Sequence, residues 1–296
     1  MSLRIAYLTH YTELYGANRS LLDLVLELRA RGEIDPLVIA PREGALLDLL
    51  RGEPAYRTGR RVDCAVFPFQ PWMSERHHEG RFYHRWQQRW NYERAALARA
   101  KANSALIPEI VALLKTERIQ LLHANSAAVS VAVASAKAAN IPLVQHVREM
   151  PEKHYRLHLD MGRSGYGDVL NAAAQVIAIS NAAAEDVKRY APDARITVIN
   201  NGVLRAGRYA EVIAGSAERW KNTSPFRFVM VGLLHPGKRY DEAVDALRVV
   251  RGKGHDARVV IAGGGRDKEL VAHIHRVGLA PFKKRVYGDE REVALA

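Results

Sequence analysis

Phe226-Arg227-Phe228-Val229-Met230-Val231-Gly232-Leu233-Leu234-His235-Pro236-Gly237-Lys238-Arg239 is a strand-like apolar run that breaks into a turn. Over the next residues, 240 to 250, the period changes, with Ala243, Val244, Leu247 and Val250 at helical spacing. A turn that runs off a parallel strand into a helix aims backbone N–H groups and the positive end of the helix dipole at whatever sits there. An anion is its natural ligand. Lys238 adds a mobile point charge, Arg239 a fork for phosphate oxygens, and Gly232 and Gly237 let backbone approach a ligand closely. The same residues also suit an ordinary strand-to-helix turn. Gly232, Gly237 and Lys238 fit G-x-x-x-x-G-K, but Arg239 stands where a P-loop needs Ser or Thr for Mg²⁺, which disfavours an ATPase.

Outward from this turn, strands and helices alternate. Downstream, residues 258–262 read as a strand, Gly263-Gly264-Gly265 as a turn, 267–277 as a helix and 285–287 as a last strand. Upstream, 4–9 reads as the first strand and 20–28 as a helix with Leu21, Leu24, Val25 and Leu28 on one face. Between them Tyr15-Gly16-Ala17-Asn18-Arg19-Ser20 is a second small-residue turn, where Gly16 admits a ligand and Asn18 or Ser20 serves as cap. Residues 36–40 and 65–67 read as strands around a short helix at 45–50. Helices at 105–115, 126–140 and 182–190 then alternate with strands at 120–123, 142–147, 175–179 and 195–199. Such βαβ alternation predicts an α/β fold of doubly wound parallel sheets with right-handed crossovers. No G-x-G-x-x-G follows the first strand, which lowers the odds of a nicotinamide or flavin dehydrogenase. Residues where parallel strands end face the ligand crevice of such a sheet, and His123, Asn125, His146, Arg148 and Glu149 qualify by position. The expected division is an N-terminal domain over 1–204, a linker over 205–224 and a C-terminal domain over 225–296.

The chain has 296 residues, long enough for two cores, and is 48% apolar. A formal net charge of +12 and a pI near 9.9 call for acidic partners: nucleotide phosphates, nucleic acid or an anionic membrane. Cys64 is the only cysteine, which excludes an internal disulfide and points to a reducing compartment, the cytoplasm. No uninterrupted apolar run approaches the length of a membrane span. Residues 74–103 are basic and aromatic, with Arg85 and Arg89 interleaved with Trp86 and Trp90. A helix there would either pack its aromatics on the domain, rest on an anionic membrane or an acceptor, or stack nucleic-acid bases.

Several segments resemble the GT-B (glycogen phosphorylase-like) glycosyltransferases of the family-4 kind. Tyr15-Gly16-Ala17-Asn18-Arg19-Ser20-Leu21-Leu22 is similar to the family's Gly-Gly-Ala-Glu-Arg-Ser-Leu-Leu, with Tyr15 for the first glycine. Leu122-His123-Ala124-Asn125-Ser126 and Ile141-Pro142-Leu143-Val144-Gln145-His146-Val147-Arg148-Glu149 resemble its paired segments, in the His-Val-Arg-Glu form of a subgroup. Val176-Ile177-Ala178-Ile179-Ser180 and Val198-Ile199-Asn200-Asn201-Gly202-Val203 are close to Val-Ile-Ala-Ser and Val-Ile-x-Asn-Gly-Val. The 232–239 turn is similar to Gly-Arg-Leu-x-Pro-x-Lys-Gly, with Lys238 matching, Leu233 for the arginine and Arg239 for the final glycine.

The resemblance implies two Rossmann-like domains and transfer from a nucleotide-diphosphate sugar to a polysaccharide, lipid-linked or similar acceptor. It implies retention of configuration. Lys238, Arg239 and the Gly232 turn, with the N–H groups of Gly16 and Ala17 across a cleft, would hold the donor diphosphate; Arg148, Glu149 and His123 would be catalytic; Arg85, Trp86, Arg89 and Trp90 would lie on the acceptor or membrane side. No Asp-x-Asp motif is present, so no metal or cofactor is expected, and nucleic acid is not an expected partner. The implied place is the cytoplasm, peripheral on the inner face of the membrane. The family's second domain continues for roughly another hundred residues and there carries Glu-x7-Glu, so the sequence also predicts a C-terminally truncated second domain with little turnover alone. A non-catalytic nucleotide-sugar module is the alternative.

Overall fold

Leu3–Leu8 (β1) is apolar on both faces, as befits a strand covered by helices on each side. Ile5 and Tyr7 enter one core while Ala6 and Leu8 enter the other, the alternation a pleated strand imposes. The computed structural model describes residues 2–52, 61–75, 82–154, 156–202, 206–216, 225–232, 234, 236–264, 268–285 and 291–295. Two compact units divide the chain, Met1–Val203 and Leu204–Ala296.

In the first unit β1 leads to α1 (Gly16–Ala30), β2 (Ile34–Ala40), α2 (Ala45–Gly52), β3 (Asp63–Val66), β4 (Met73–Glu75), α3 (Phe82–Thr116) and β5 (Leu121–Ala124). There follow α4 (Ala132–Ala139), β6 (Leu143–Val147), α5 (Pro151–His154), β7 (Leu157–Leu159), α6 (Gly162–Asn171), β8 (Gln175–Ala178), α7 (Asn181–Lys188) and β9 (Ile196–Val198). Seven of these strands form one sheet in the order β3-β2-β1-β5-β6-β8-β9, every neighbouring pair parallel. The chain builds outward from β1 through β2 and β3, then returns to build the other way from β5. The order therefore reverses between β1 and β5, and sheets of this kind bind ligands beyond the carboxyl ends of the strands at such a switch point. Strands β4 and β7 pair antiparallel in a small sheet of their own.

On one face Tyr7, Val38, Leu21, Val25, Leu46, Leu47 and Leu50 bring α1 and α2 onto the sheet. On the other, Leu8, Ile39 and Leu122 meet Ile110 and Leu114 of α3 and Ala132 and Ala136 of α4. Each fully buried leucine of these cores contributes about 1.5–3 kcal/mol relative to exposure.

Three expectations are corrected here. The helix expected at 105–115 is the C-terminal third of α3, which has 35 residues and runs through Pro108. Tertiary anchors override the proline: Arg99 grips Asp160 through two bonds of 2.6 and 2.8 Å, and Asn103 exchanges bonds with the backbone of Gln70. Helix α4 starts at Ala132 rather than 126, because residues 126–128 are bound elsewhere: the Gln145 side chain donates to Ser126 O, the Trp72 indole to Ala127 O, and Ala128 N to Ser126 Oγ. Helix α1 already begins at Gly16, so Asn18 and Ser20 lie inside it and do not cap it. The Ser180 cap is present, its hydroxyl accepting from Ala183 N at 3.2 Å.

The second unit contains α8 (Ala206–Ala214), β10 (Phe226–Val231), a 3₁₀ turn at Pro236–Lys238, α9 (Tyr240–Gly252), β11 (Ala257–Gly263), α10 (Lys268–Arg276), β12 (Pro281–Arg285) and β13 (Arg291–Leu295). β10 and β11 pair in parallel with α9 as the crossover, and Val244, Leu247, Val259, Ile261 and Ile274 form their core. The sheet order is β10-β11-β13-β12, with β13 antiparallel to both neighbours. A parallel continuation ending in a strand at 285–287 is thus corrected. β12 is Pro281–Arg285, Tyr287 lies outside the described residues, and the five residues before β13 are too few for a parallel crossover.

Candidate functional site

At the switch point the loop after β1 is fastened to the first turn of α1. Asn18 is fully buried; its amide donates to Tyr11 O and Glu13 O, both at 2.9 Å, and its Oδ1 accepts from Thr9 Oγ1 at 2.7 Å. Tyr15 is the N-cap and gives no side-chain hydrogen bond. Among the described residues the N–H groups of Gly16 and Ala17 therefore have neither a helical carbonyl nor a capping side chain at the positive end of this 15-residue helix. Beside it, Asn125 at the end of β5 donates to Ala17 O at 3.3 Å, and Ser20 reaches Asn201 Oδ1 at 3.3 Å.

Arg148, one residue past β6, lies at the centre of this edge. Its Nε donates to Asn125 O at 3.1 Å and Asn125 Oδ1 at 3.0 Å, and Nη1 to Asn201 Oδ1 at 2.9 Å. Nη2 lies 3.4 Å from His146 Nδ1. All four acceptors are neutral, and among the described residues no carboxylate lies within ion-pair distance. Burial, only partly offset by Glu149 and Tyr11 at longer range, pulls the guanidinium down to about 10 from its ordinary value. The group stays charged at neutral pH, a cation held in a low-dielectric setting without a counter-ion.

His123 and His146 lie behind it, both buried, with His123 Nε2 3.2 Å from His146 Nδ1. An arginine can only donate, so Nδ1 of His146 is an acceptor, its hydrogen is on Nε2, and His123 Nε2 donates. That Nε2–H of His146 is buried without a partner among the described residues. Burial and the Arg148 charge push His123 down to about 3 and His146 to about 2, so both rings are neutral in ordinary buffers. Glu149 turns the opposite way from Arg148: its Oε1 accepts from Ser126 Oγ at 2.5 Å and from Ala127 N at 3.2 Å, and burial raises its pKa. Of the three residues expected to be catalytic, only Arg148 spans the strand ends, with His123 and Glu149 behind it. Tyr11, Asn18, Ser20 and Ser126 complete the arrangement. Their signal in the sequence was slight: Tyr11 and Ser126 stand just after apolar strands, while Asn18 and Ser20 read only as helix caps.

In the second unit the 232–239 turn is held by its neighbours. Gly232 has φ 155°, donates to Ala262 O at 2.9 Å, and presses its carbonyl so close to Gly263 that a Cβ there would lie 1.7 Å from it. The missing side chain of Gly263 thus serves packing of β10 against β11. Arg239 adopts a left-handed φ of 54°, and its guanidinium is tied to Glu242, with Asp241 3.9 Å away. Lys238 and Gly237 are exposed, and Lys238 makes no ion pair among the described residues. Side chains at Arg85, Trp86 and Arg89 lie outside the described residues, whereas Trp90 is exposed. Among the described residues no group of three or more His, Cys, Asp or Glu side chains is placed to hold a metal ion, and no helix is long and apolar enough to cross a membrane.

The model of Glycosyltransferase Family 4 matches residues 15–204, a span that begins at the N-cap of α1 and takes in Arg148 and Asn201. The chain belongs to glycosyltransferase family 4. No curated protein sequence matches it significantly. Among solved structures it is similar to HepE of Anabaena, determined with UDP and glucose, at 20% identity and a TM-score of 0.60 over 93% of this chain and 66% of that one. A glycosyltransferase from Rickettsia africae aligns at 14% identity and a TM-score of 0.56, covering 93% and 64%. Sucrose-phosphate synthase of Thermosynechococcus elongatus aligns at 11% and 0.56, covering 93% and 68%. These likenesses establish the GT-B fold, of which the family-4 chain spans about two thirds of its relatives' length.

Proposed function

We propose that the protein is a glycosyltransferase, retaining and metal-independent, which moves a sugar from a nucleotide-diphosphate donor to a polysaccharide, lipid-linked or similar acceptor. The observation that carries this reading is Arg148, a half-buried cation with four neutral acceptor atoms on Asn125, Asn201 and His146 and no counter-ion among the described residues, beside the start of α1, which has no side-chain cap there. Such a group is stabilised by an anionic ligand. As the glycosidic bond breaks, negative charge grows on the leaving diphosphate, and preorganised donors lower the barrier most when aimed at that charge. Arg148 and the N–H groups of Gly16 and Ala17 supply it from the first unit. Lys238 is the mobile cation of the second, and the tie to Glu242 leaves Arg239 a lesser share. His123 and Glu149 act here as positioning residues, the first through His146 onto Arg148, the second by fixing the 126–127 turn beside Asn125. UDP and glucose in the Anabaena relative make a UDP-sugar the first donor to try.

Calorimetric titration with UDP-, GDP- and ADP-sugars, paired with an assay for sugar transfer or donor hydrolysis, tests the reading. One donor should bind, and bind at least tenfold more weakly to Lys238→Ala and Arg148→Met. Failure of all three donors to bind would refute it.

A further inference from the structure

We propose that the exposed face of α3 carrying Trp90, Arg94, Leu97 and Lys101 docks the protein on an anionic lipid bilayer. These residues are spaced i, i+4, i+7 and i+11, which places them along one stripe of the helix. Trp90 is 57% exposed and Leu97 72%, while Arg94 and Lys101 are also exposed and pair with no carboxylate among the described residues. One exposed apolar side chain needs no explanation; a tryptophan and a leucine two turns apart, alternating along one stripe with Arg94 and Lys101, have the composition of a helix lying in a membrane interface.

The stripe cannot be buried by turning the helix. On the opposite face Arg99 is bound to Asp160, Tyr92 stacks on His158 with ring centroids 5.2 Å apart, Asn103 is bonded to Gln70, and Ala96, Ile110 and Leu114 are buried. Arg94 and Lys101 can lay their alkyl stems beside Trp90 and Leu97 while their charges reach phosphate groups. The formal net charge of +12 adds long-range attraction to the same surface. Glu93 flanks the stripe as its one acidic neighbour on that turn. In the sequence Trp86 precedes Trp90 by four residues and extends the aromatic pattern. This inference stands apart from the sugar-transfer reading, because it needs neither donor nor acceptor.

The test is co-sedimentation of the full chain with vesicles of phosphatidylcholine alone and of phosphatidylcholine with phosphatidylglycerol, without nucleotide or glycan. Partition should require the anionic lipid and weaken as salt rises. Arg94→Ala with Lys101→Ala should lower it roughly twenty-five-fold, about fivefold per cation. Trp90→Glu with Leu97→Glu should abolish it, with circular dichroism unchanged because all four side chains are exposed. Absence of binding, equal binding to both vesicles, or binding that the four substitutions leave unmoved would each overturn the proposal. So would loss of oligonucleotide binding in these variants with vesicle binding intact.

Discussion

Replacing Arg148 by methionine separates a ligand-binding cation from a structural one. In the folded protein the guanidinium is pulled down to about 10, and at ~1.36 kcal/mol per pKa unit its burial costs roughly 3 kcal/mol relative to the unfolded chain. Methionine removes that cost and keeps most of the volume. Against this, Asn125 loses donors to its carbonyl and Oδ1; this residue is fully buried, and each orphaned acceptor costs about 1–3 kcal/mol. Asn201 is exposed, and water replaces its bond. The two sides nearly cancel, so urea unfolding should place the variant within about 1–2 kcal/mol of the parent, an ordinary cost for a point mutation. Nucleotide-sugar binding should respond far more. A hydrogen bond to a charged group contributes about 1.5–3 kcal/mol, so its loss should weaken the dissociation constant roughly ten- to hundredfold in calorimetry. A loss of stability above about 4 kcal/mol with unchanged nucleotide affinity would refute the argument and make Arg148 a structural residue.

Five further substitutions, at Glu149, Gly263, Gly264 and His146, and one titration follow from the same structure. Glu149→Gln keeps an oxygen for Ser126 and Ala127 and should leave stability and turnover nearly unchanged, whereas Glu149→Leu orphans both donors and should cost about 2–5 kcal/mol by chemical denaturation; an inactive but fully folded Gln variant would show that the carboxylate itself reacts. Gly263→Ala drives a Cβ into the Gly232 carbonyl and should lower protection of the Gly232 amide in hydrogen exchange, while Gly264→Ala, with open space around it, should not. His10, His123 and His146 are held down to about 4, 3 and 2 by burial, below the ordinary 6.5. The unfolded chain therefore takes up protons first as pH falls. Stability contributed by the three neutral rings should be whole above about pH 6.5 and decline toward pH 4, by up to ~1.36 kcal/mol per pH unit for each ring. His146→Gln should remove one ring's share of that slope in pH-dependent unfolding, and an unchanged slope would disprove the assignment.

The strand ends were legible because each apolar run stops abruptly at polar residues: His123 and Asn125 close β5, His146 and Arg148 close β6, and contacts link the four, His123 with His146 and Arg148 with Asn125 and His146. Which way a side chain points after a strand was not legible. Arg148 and Glu149 are adjacent in sequence and serve opposite sides, since successive residues of extended chain alternate. Asn18 read as a cap because its type suits that role, but burial and two backbone carbonyls brought into reach by the loop after β1 claimed it instead. β13 escaped notice because its five residues, two charged (Arg291, Glu292) then three apolar (Val293, Ala294, Leu295), show no alternation and carry too little pattern to stand out without the partners that flank them on both sides. Local pattern thus specified where backbone turns, while pairings between residues distant in sequence decided what each side chain does there.

Those distant pairings also explain why Arg148 is tolerated at all. A fold selected for stability alone would place a carboxylate against a half-buried guanidinium, and Glu149, the next residue, is near enough in sequence to serve. Instead its carboxyl is bound to Ser126 and Ala127, and the arginine is left with amides and a neutral imidazole. Neutral acceptors fix the direction of the fork without cancelling its charge, so its field stays available to an incoming anion. If that is their purpose, supplying the missing counter-ion from within should do what a ligand does: Asn201→Asp, which keeps the oxygen 2.9 Å from Nη1 and adds a charge, should raise stability and weaken nucleotide-sugar binding together. An Asn201→Asp variant that gained stability while binding donor as tightly as the parent would show that the charge on Arg148 is not what the ligand meets.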